Sequence, residues 1–334
     1  MLIGEAQNGD AAFRKAALLA LADSQQAAAL PALVKGSGNG TEDDKATAVA
    51  GINHLAEVFG EQGKGALAGR AYLEAYRVAE TSEQREAALE GIQRYPTAEA
   101  VEVAEGGRVD EVPPDLLVSV LTAIADAQLD NSDIAGSKST LSKLLPHIRT
   151  TAHVHEATAL ARRLQIGPEI APKLGFITSW LLVGPFPWKS EEAFTRRNIN
   201  EPNIDLTATY TVAGKQLEWT SFTTPDAAGI VHLPNVFGPN DNVTVYAHAE
   251  IVVENAKDVV FRMGSDDGIK LWVNGEVVYE NDTGRALVVD QDAAKARLKA
   301  GRNQILFQIT QSIAGWGFCA RITEPDGRPV EFAQ

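Results

Sequence analysis

The chain is poor in sulfur and in positive charge. Cys319 is its single cysteine, which excludes an intramolecular disulfide, a zinc finger and CxxC redox chemistry. Set within Gly317-Phe318-Cys319-Ala320-Arg321-Ile322, it is expected to be buried in a strand rather than to act as a nucleophile. Lysine and arginine number 30 against 44 aspartates and glutamates, a formal charge of -14. A surface of that sign repels nucleic acid and anionic membrane, and Arg196-Arg197 is too short a cluster to reverse it. No apolar run reaches the roughly 18 residues of a membrane span. Met1 to Glu5 lack the basic start and apolar segment of a signal peptide, and so abrupt a start is that expected of a piece cut from a longer precursor. No HExxH, GxSxG or Walker sequence occurs.

What remains is an ordinary folded composition, 45% hydrophobic and 22% charged over 334 residues, with room for two domains. Two kinds of patterning divide it. Up to about Gly167 the chain is rich in alanine and leucine at helical spacing. Helices are expected over Ala12 to Leu21, Ala27 to Val34, Asp43 to Phe59, Leu67 to Ala79 and Glu83 to Tyr95. Shorter ones follow over Thr97 to Ala104, Pro114 to Ala127, Ser139 to Ile148 and Thr151 to Leu164. Such helices either stack in pairs or close into a compact bundle. Ile166-Gly167-Pro168 and Ala171-Pro172 mark a boundary, so the domains are expected at 1–167 and 168–334. Beyond it come short β-branched and aromatic runs separated by Asn-Gly, Asp-Gly and proline turns, the pattern of an antiparallel β-sandwich. The expected fold class is therefore a multidomain α plus all-β chain.

The most informative stretch is Gly264 to Asn281, GSDDGIKLWVNGEVVYEN. Ile269, Leu271 and Val273 alternate with Lys270, Trp272 and Asn274, as in a half-buried strand. Asn274-Gly275 suits a tight hairpin turn. Folding accounts for the hairpin, but not for Asp266 beside Asp267, since adjacent like charges at a sheet edge repel unless something compensates them. If the loop from Asn281 folds back, Asp290 and Asp292 join the pair. Asp266, Asp267, Asp290 and Asp292 then form a candidate site for calcium, a hard cation that takes about six to eight oxygen ligands. The other reading of the same residues is that they cap turns.

Trp272 and Trp316 are candidate stacking platforms for a sugar ring, with Arg285 and Gln311 as hydrogen-bond donors at a loop rim; the tryptophans would otherwise belong to the core. His153 and His155, two apart in a helix, diverge and do not form a metal site by themselves. The acidic pairs Glu191-Glu192 and Asp43-Asp44 are read as solvated surface charge rather than as a glycosidase acid and base.

Several stretches resemble known families. Trp180 to Pro187 (WLLVGPFP), Gly238 to Asn242 (GPNDN), Gly264 to Asn281, Asp290-Gln291-Asp292, Leu298 to Gln304 (LKAGRNQ) and Trp316-Gly317-Phe318 resemble a galactose-binding-like β-sandwich of large extracytoplasmic proteins of planctomycete-type bacteria. The hairpin, Gly264 to Tyr279, also resembles the PA14 domain, in which a consecutive aspartate pair, often joined by a cis peptide, helps hold calcium beside a glycan; the pair would be Asp266 and Asp267. The ligand-supplying loop of sugar-binding PA14 members is not recognisable. In its alanine-rich helix pairs, such as Glu83-Gln84-Arg85-Glu86-Ala87-Ala88-Leu89, the first half resembles HEAT-type repeats, which implies a scaffold. Together these resemblances imply a galactose-binding-like jelly roll acting as a non-catalytic carbohydrate-binding module on a helical platform. The partner would be a polysaccharide or other glycan, and the place the periplasm or cell surface as part of a longer protein. Two alternatives stay open: a protein-interaction scaffold that binds a protein partner, and an accessory part of a polysaccharide-degrading enzyme.

Overall fold

The computed structural model describes residues 2–38, 40–104, 111–189, 194–201 and 203–334; Glu191-Glu192 lies outside them. The described chain divides into two compact units, Met1–His147 and Ile148–Gln334. The boundary expected at 167 falls inside the second unit.

The first unit is helical: α1 (Leu2–Asn8), α2 (Ala11–Ala22), α3 (Leu30–Ser37), α4 (Glu42–Glu61), α5 (Gly65–Val78), α6 (Ser82–Arg94), α7 (Pro114–Asp130) and α8 (Ile134–Leu144). Helix starts follow their capping chemistry. Thr41 and Asp44 form a reciprocal capping box at α4, and Thr81 and Gln84 do the same at α6, satisfying N–H groups that have no partner within the helix. Asp44 is therefore not solvated charge as expected. It is 2% exposed, caps its own helix and takes Arg14 Nη2 at 3.2 Å. Asp43 is exposed and pairs with Lys15. Successive helices pack on one another, α4 on α5, α5 on α6 and α7 on α8. Their lengths run from 7 to 20 residues, and this packing does not establish a HEAT-type repeat. Among the described residues no helix is long and apolar enough to cross a membrane.

The second unit opens with α9 (Thr151–Arg163) and the single turn α10 (Gly167–Ile170), then becomes a sandwich. Its strands are β1 (Ser179–Pro187), β2 (Tyr210–Val212), β3 (Lys215–Leu217), β4 (Thr220–Thr223), β5 (Val231–His232), β6 (Val243–Val253), β7 (Lys257–Asp266), β8 (Ile269–Val273), β9 (Glu276–Asn281), β10 (Asp292–Leu298), β11 (Gly301–Gln311) and β12 (Gly317–Thr323). A turn of helix, α11 (Pro234–Phe237), separates β5 from β6. One sheet has six strands in the order β4-β1-β6-β11-β8-β9, the other four in the order β10-β7-β12-β5, and β2 pairs with β3. Every strand pairing is antiparallel, so the α plus all-β layout holds.

Alternating side chains fill the space between the sheets. Leu182, Ala247, Phe261, Leu271, Phe307 and Phe318 belong to one buried cluster, in which Trp180 meets Phe318 edge-on at 5.0 Å. The opposite face of the six-stranded sheet carries a second cluster, in which Tyr246, Trp272 and Leu306 lie beneath Ile199, Tyr210, Leu217 and Trp219 of the 194–219 excursion. Cys319 is buried as expected, and burial pushes its thiol up to about 12, which leaves it inert at neutral pH.

A buried ion pair ties the loop between β9 and β10 to the sandwich. Asp290 accepts from Arg321 Nε at 2.8 Å and Nη2 at 2.6 Å, and neither side chain reaches solvent. Thr151 Oγ1 donates to the same carboxylate at 3.0 Å. Removing one member of such a pair strands the other charge in low dielectric, which costs about 3–5 kcal/mol. Urea denaturation of Arg321→Met is expected to show a loss of that size. The double variant Asp290→Asn/Arg321→Met should recover much of it, because no unpaired charge remains and asparagine tolerates the positive φ of 59° at this position. Equal losses in both would mean that the pair does not govern stability here.

Candidate functional site

The hairpin forms as its pattern predicts. Ile269, Leu271 and Val273 face the core, and Asn274 and Gly275 turn with φ of 53° and 86°, the positive values that a tight hairpin turn requires. Asp266 ends β7 and Asp267 follows it through a cis peptide bond. Two glycines permit this crowding. A Cβ at Gly264 would stand 2.1 Å from the Val288 carbonyl oxygen, and one at Gly268 would stand 2.6 Å from both Phe194 and Thr310 Oγ1. Gly264 thus lets the β9–β10 loop lie directly against β7.

The four candidate carboxylates do not gather. Among the described residues no three His, Cys, Asp or Glu side chains come close enough together to hold a metal. Asp267, 9% exposed, is held by backbone donors: Oδ1 accepts from Arg285 N at 3.0 Å and Oδ2 from Ser312 N at 2.7 Å. Its own N–H donates to the Thr310 carbonyl at 3.0 Å. Asp292 is taken up by a cation and neutral donors. Arg285 Nη1 reaches Oδ1 at 3.0 Å, Arg285 Nη2 reaches Oδ2, Tyr279 Oη donates to Oδ1 at 2.7 Å and Asn281 Nδ2 at 3.3 Å. Burial opposes its charge, but the bonds from Arg285 and Tyr279 outweigh burial and hold the carboxyl below its ordinary range. Asp290 is spent on Arg321. The cluster fails because each of these loop carboxylates is already occupied by its own donors, Asp292 by Arg285 and by Tyr279 and Asn281 of the hairpin, and Asp290 by Arg321.

Asp266 is different. It is half-buried and has no hydrogen-bond donor among the described residues. Burial first, and the neighbouring Asp267 second, push its carboxyl above the ordinary value.

The expected sugar platform is corrected as well. Trp272 is 4% exposed and lies in the second apolar cluster, not open on the sheet. It does face away from Ile269 and Leu271, but the 194–219 excursion covers what would otherwise be the solvent side. Trp316 is 3% exposed and belongs to the core between the sheets, against Phe237. Gln311 is fully buried and donates Nε2 to the Ala314 carbonyl at 3.1 Å. Arg285 is no rim donor. Besides Asp292, it reaches Ser265 Oγ at 2.8 Å and the Asp267 carbonyl at 3.4 Å. His153 is buried with Nδ1 accepting from Arg149 N at 3.2 Å, while His155 is exposed, so the two diverge as expected. Sequence reasoning missed Ser265, Tyr279 and Ser312. Only the glycines around the aspartate pair signalled that another segment packs there.

The chain matches no protein-family model and no curated protein. Among solved structures it is similar to the PA14 domain of an antifreeze protein, at 15% identity and a TM-score of 0.23, over 25% of this chain and 45% of that one. The PA14 sugar-binding domain of an RTX adhesin is similar at 18% identity and a TM-score of 0.21, over 26% and 49%. A β-glucosidase of Kluyveromyces marxianus is similar at 11% and 0.29, over 44% of this chain and 16% of the enzyme. The aligned part spans less than half of each of these chains, and likeness this slight does not say what the present chain binds.

The pH dependence of Asp266 has a definite sign. A carboxyl raised in the folded state binds protons more tightly there than in the unfolded chain. Its contribution is fully present below the ordinary value of 3.8 and is lost as pH rises through the folded value. Asp266→Asn removes that loss. In chelator, the variant is expected to be more stable than wild type at pH 7, with the difference vanishing below the ordinary value. Denaturant titrations of both proteins across pH 3 to 7 test this; a variant less stable than wild type at pH 7 would refute the reading of Asp266 as an uncompensated charge.

Proposed function

We propose that the sandwich is a non-catalytic carbohydrate-binding module that holds a glycan through a divalent cation at Asp266 and Asp267. The observation that carries this reading is the contrast within the pair. Asp267 is fixed by two backbone N–H groups, while Asp266 is half-buried, raised in pKa and unanswered among the described residues. An oxygen-only donor set suits a hard cation such as calcium, and two carboxylates leave most of the coordination shell to backbone carbonyls, water and ligand hydroxyls. Bound there, calcium would offer open positions to adjacent sugar hydroxyls, and the anionic pair would be neutralised in the same step. Asp290 and Asp292 take no part. Their role is to anchor the loop that supplies the Arg285 N–H to Asp267. The sequence resemblance to PA14 and galactose-binding-like domains supports the same assignment, and the buried tryptophans leave recognition to polar contacts rather than to stacking.

A glycan array probed with calcium and again with chelator tests the proposal, alongside calorimetric titration with calcium alone. Calcium should raise the melting temperature, since a ligand that binds only the folded state stabilises it by about 2.7 kcal/mol at a hundred times its dissociation constant. Asp266→Asn should abolish both that rise and glycan retention. Folded protein that gives no heat with millimolar calcium and retains no glycan in either condition would sink the reading.

A further inference from the structure

We infer that the four-stranded sheet holds a buried monatomic anion, chloride in chemical class, between Arg262 of β7 and Arg321 of β12. The two arginines are direct partners across the antiparallel pair, so their side chains leave the sheet on the same side, with Cβ atoms about 4.5–5.5 Å apart. That side is turned away from the core. Their neighbours in sequence, Phe261 and Met263 on β7 and Ala320 and Ile322 on β12, belong to the cluster between the sheets. Arg321 has no solvent-exposed surface, and Arg262 is half-buried.

Both guanidinium groups are short of an acceptor. Asp290 takes Nε and Nη2 of Arg321, but Nη1, equally enclosed, has no hydrogen-bond partner among the described residues. Nε of Arg262 is enclosed and has none either, and among the described residues no carboxylate pairs with Arg262. In a chain with 44 acidic side chains against 30 basic ones, a half-buried arginine without a carboxylate is out of keeping. Its surroundings add positive charge. The cross-strand row Ala293–Arg262–Arg321 holds no acid. On the same face β12 contributes Cys319 and Thr323, β7 contributes Val260 and Gly264, and β10 contributes the cation Lys295. The start of α9 comes to this face as well, where Thr151 Oγ1 donates to Asp290, and a helix N-terminus carries about half a positive charge. Two guanidinium groups and a helix start thus share one carboxylate.

What answers this deficit has to accept hydrogen bonds, carry negative charge and be small. A guanidinium group offers donors only, so a cation has nothing to bind here. A water accepts both N–H groups but leaves the excess positive charge in a low-dielectric place, where it is costly. An oxyanion such as sulfate brings several oxygens, each in need of a donor. Arg321 Nη1 and Arg262 Nε are the enclosed nitrogens on this face that lack a partner among the described residues, too few for such a group. A halide ion puts its whole charge at one point and has no further atom to satisfy.

The test follows urea unfolding of the whole chain, in chelator, with chloride exchanged for gluconate at constant ionic strength. A ligand held by the folded state alone lowers the unfolding equilibrium constant about tenfold per decade of concentration above its dissociation constant. Chloride should show that dependence and bromide should replace it, whereas gluconate is too large for an enclosed position and should not. Arg262→Met keeps an unbranched stem without the charge and should abolish the difference between chloride and gluconate. Wild-type crystals soaked in bromide should show an anomalous scattering peak between the two guanidinium groups. The inference is overturned if unfolding is the same in chloride and gluconate, as a bridging water would leave it. It is equally overturned if the variant keeps the chloride dependence, or if bromide lies on exposed side chains alone, an adventitious ion only. Should the variant not fold, the wild-type titration and the bromide peak decide. Chelator removes calcium throughout, so the acidic pair and this site stand or fall separately.

Discussion

The Arg285 guanidinium lies between Asp292 and Ser265, while the backbone N–H of the same residue holds Asp267. Without that guanidinium the buried Asp292 carboxylate would keep only the neutral donors Tyr279 and Asn281. Desolvating a carboxylate costs several kcal/mol unless donors replace its water. The β9–β10 loop meets that requirement at both ends, through Arg285 near its start and through the Asp290–Arg321 pair near its close. Its course over β7 follows from those two anchors, with Gly264 giving the room. Among the described residues no donor answers Asp266, which is why the functional reading rests on it rather than on the whole cluster.

Much of the fold was legible in the sequence, for local reasons. The period-two alternation from Ile269 to Val273 and the Asn274-Gly275 turn are readable because side-chain direction and positive φ are properties of a few adjacent residues. The same holds for Thr41 and Thr81 at helix starts, where the cap and its partner are three residues apart. The short strands β2 to β5 carried no such signal. They are two to four residues long and lie in the excursion between β1 and β6.

The site was less legible because its decisive contacts join residues far apart in the chain. Asp290 and Arg321 are separated by 31 positions, and Asp267 and Ser312 by 45. From sequence, four aspartates near one hairpin share a sign and a neighbourhood; in the structure three are distinguished by their donors, and Asp266 by having none among the described residues. Trp272 failed for a related reason. Alternation correctly set it opposite Ile269 and Leu271, but alternation says which side a residue faces, not whether that side meets water. The excursion that covers it comes from another part of the chain.

That covering also narrows the means by which the sandwich can take a ligand. Beneath the excursion Tyr246 and Trp272 are spent on packing, and Trp316 is spent in the core between the sheets, so none of these rings is left as an open stacking face. At the hairpin the unsatisfied group is a charge, and what satisfies a charge there is a cation in oxygen-rich company. An acidic chain has little difficulty drawing a divalent cation from solution, since its net field favours the encounter. The kind of deficit left at the surface thus sets the chemistry of the ligand that can fill it.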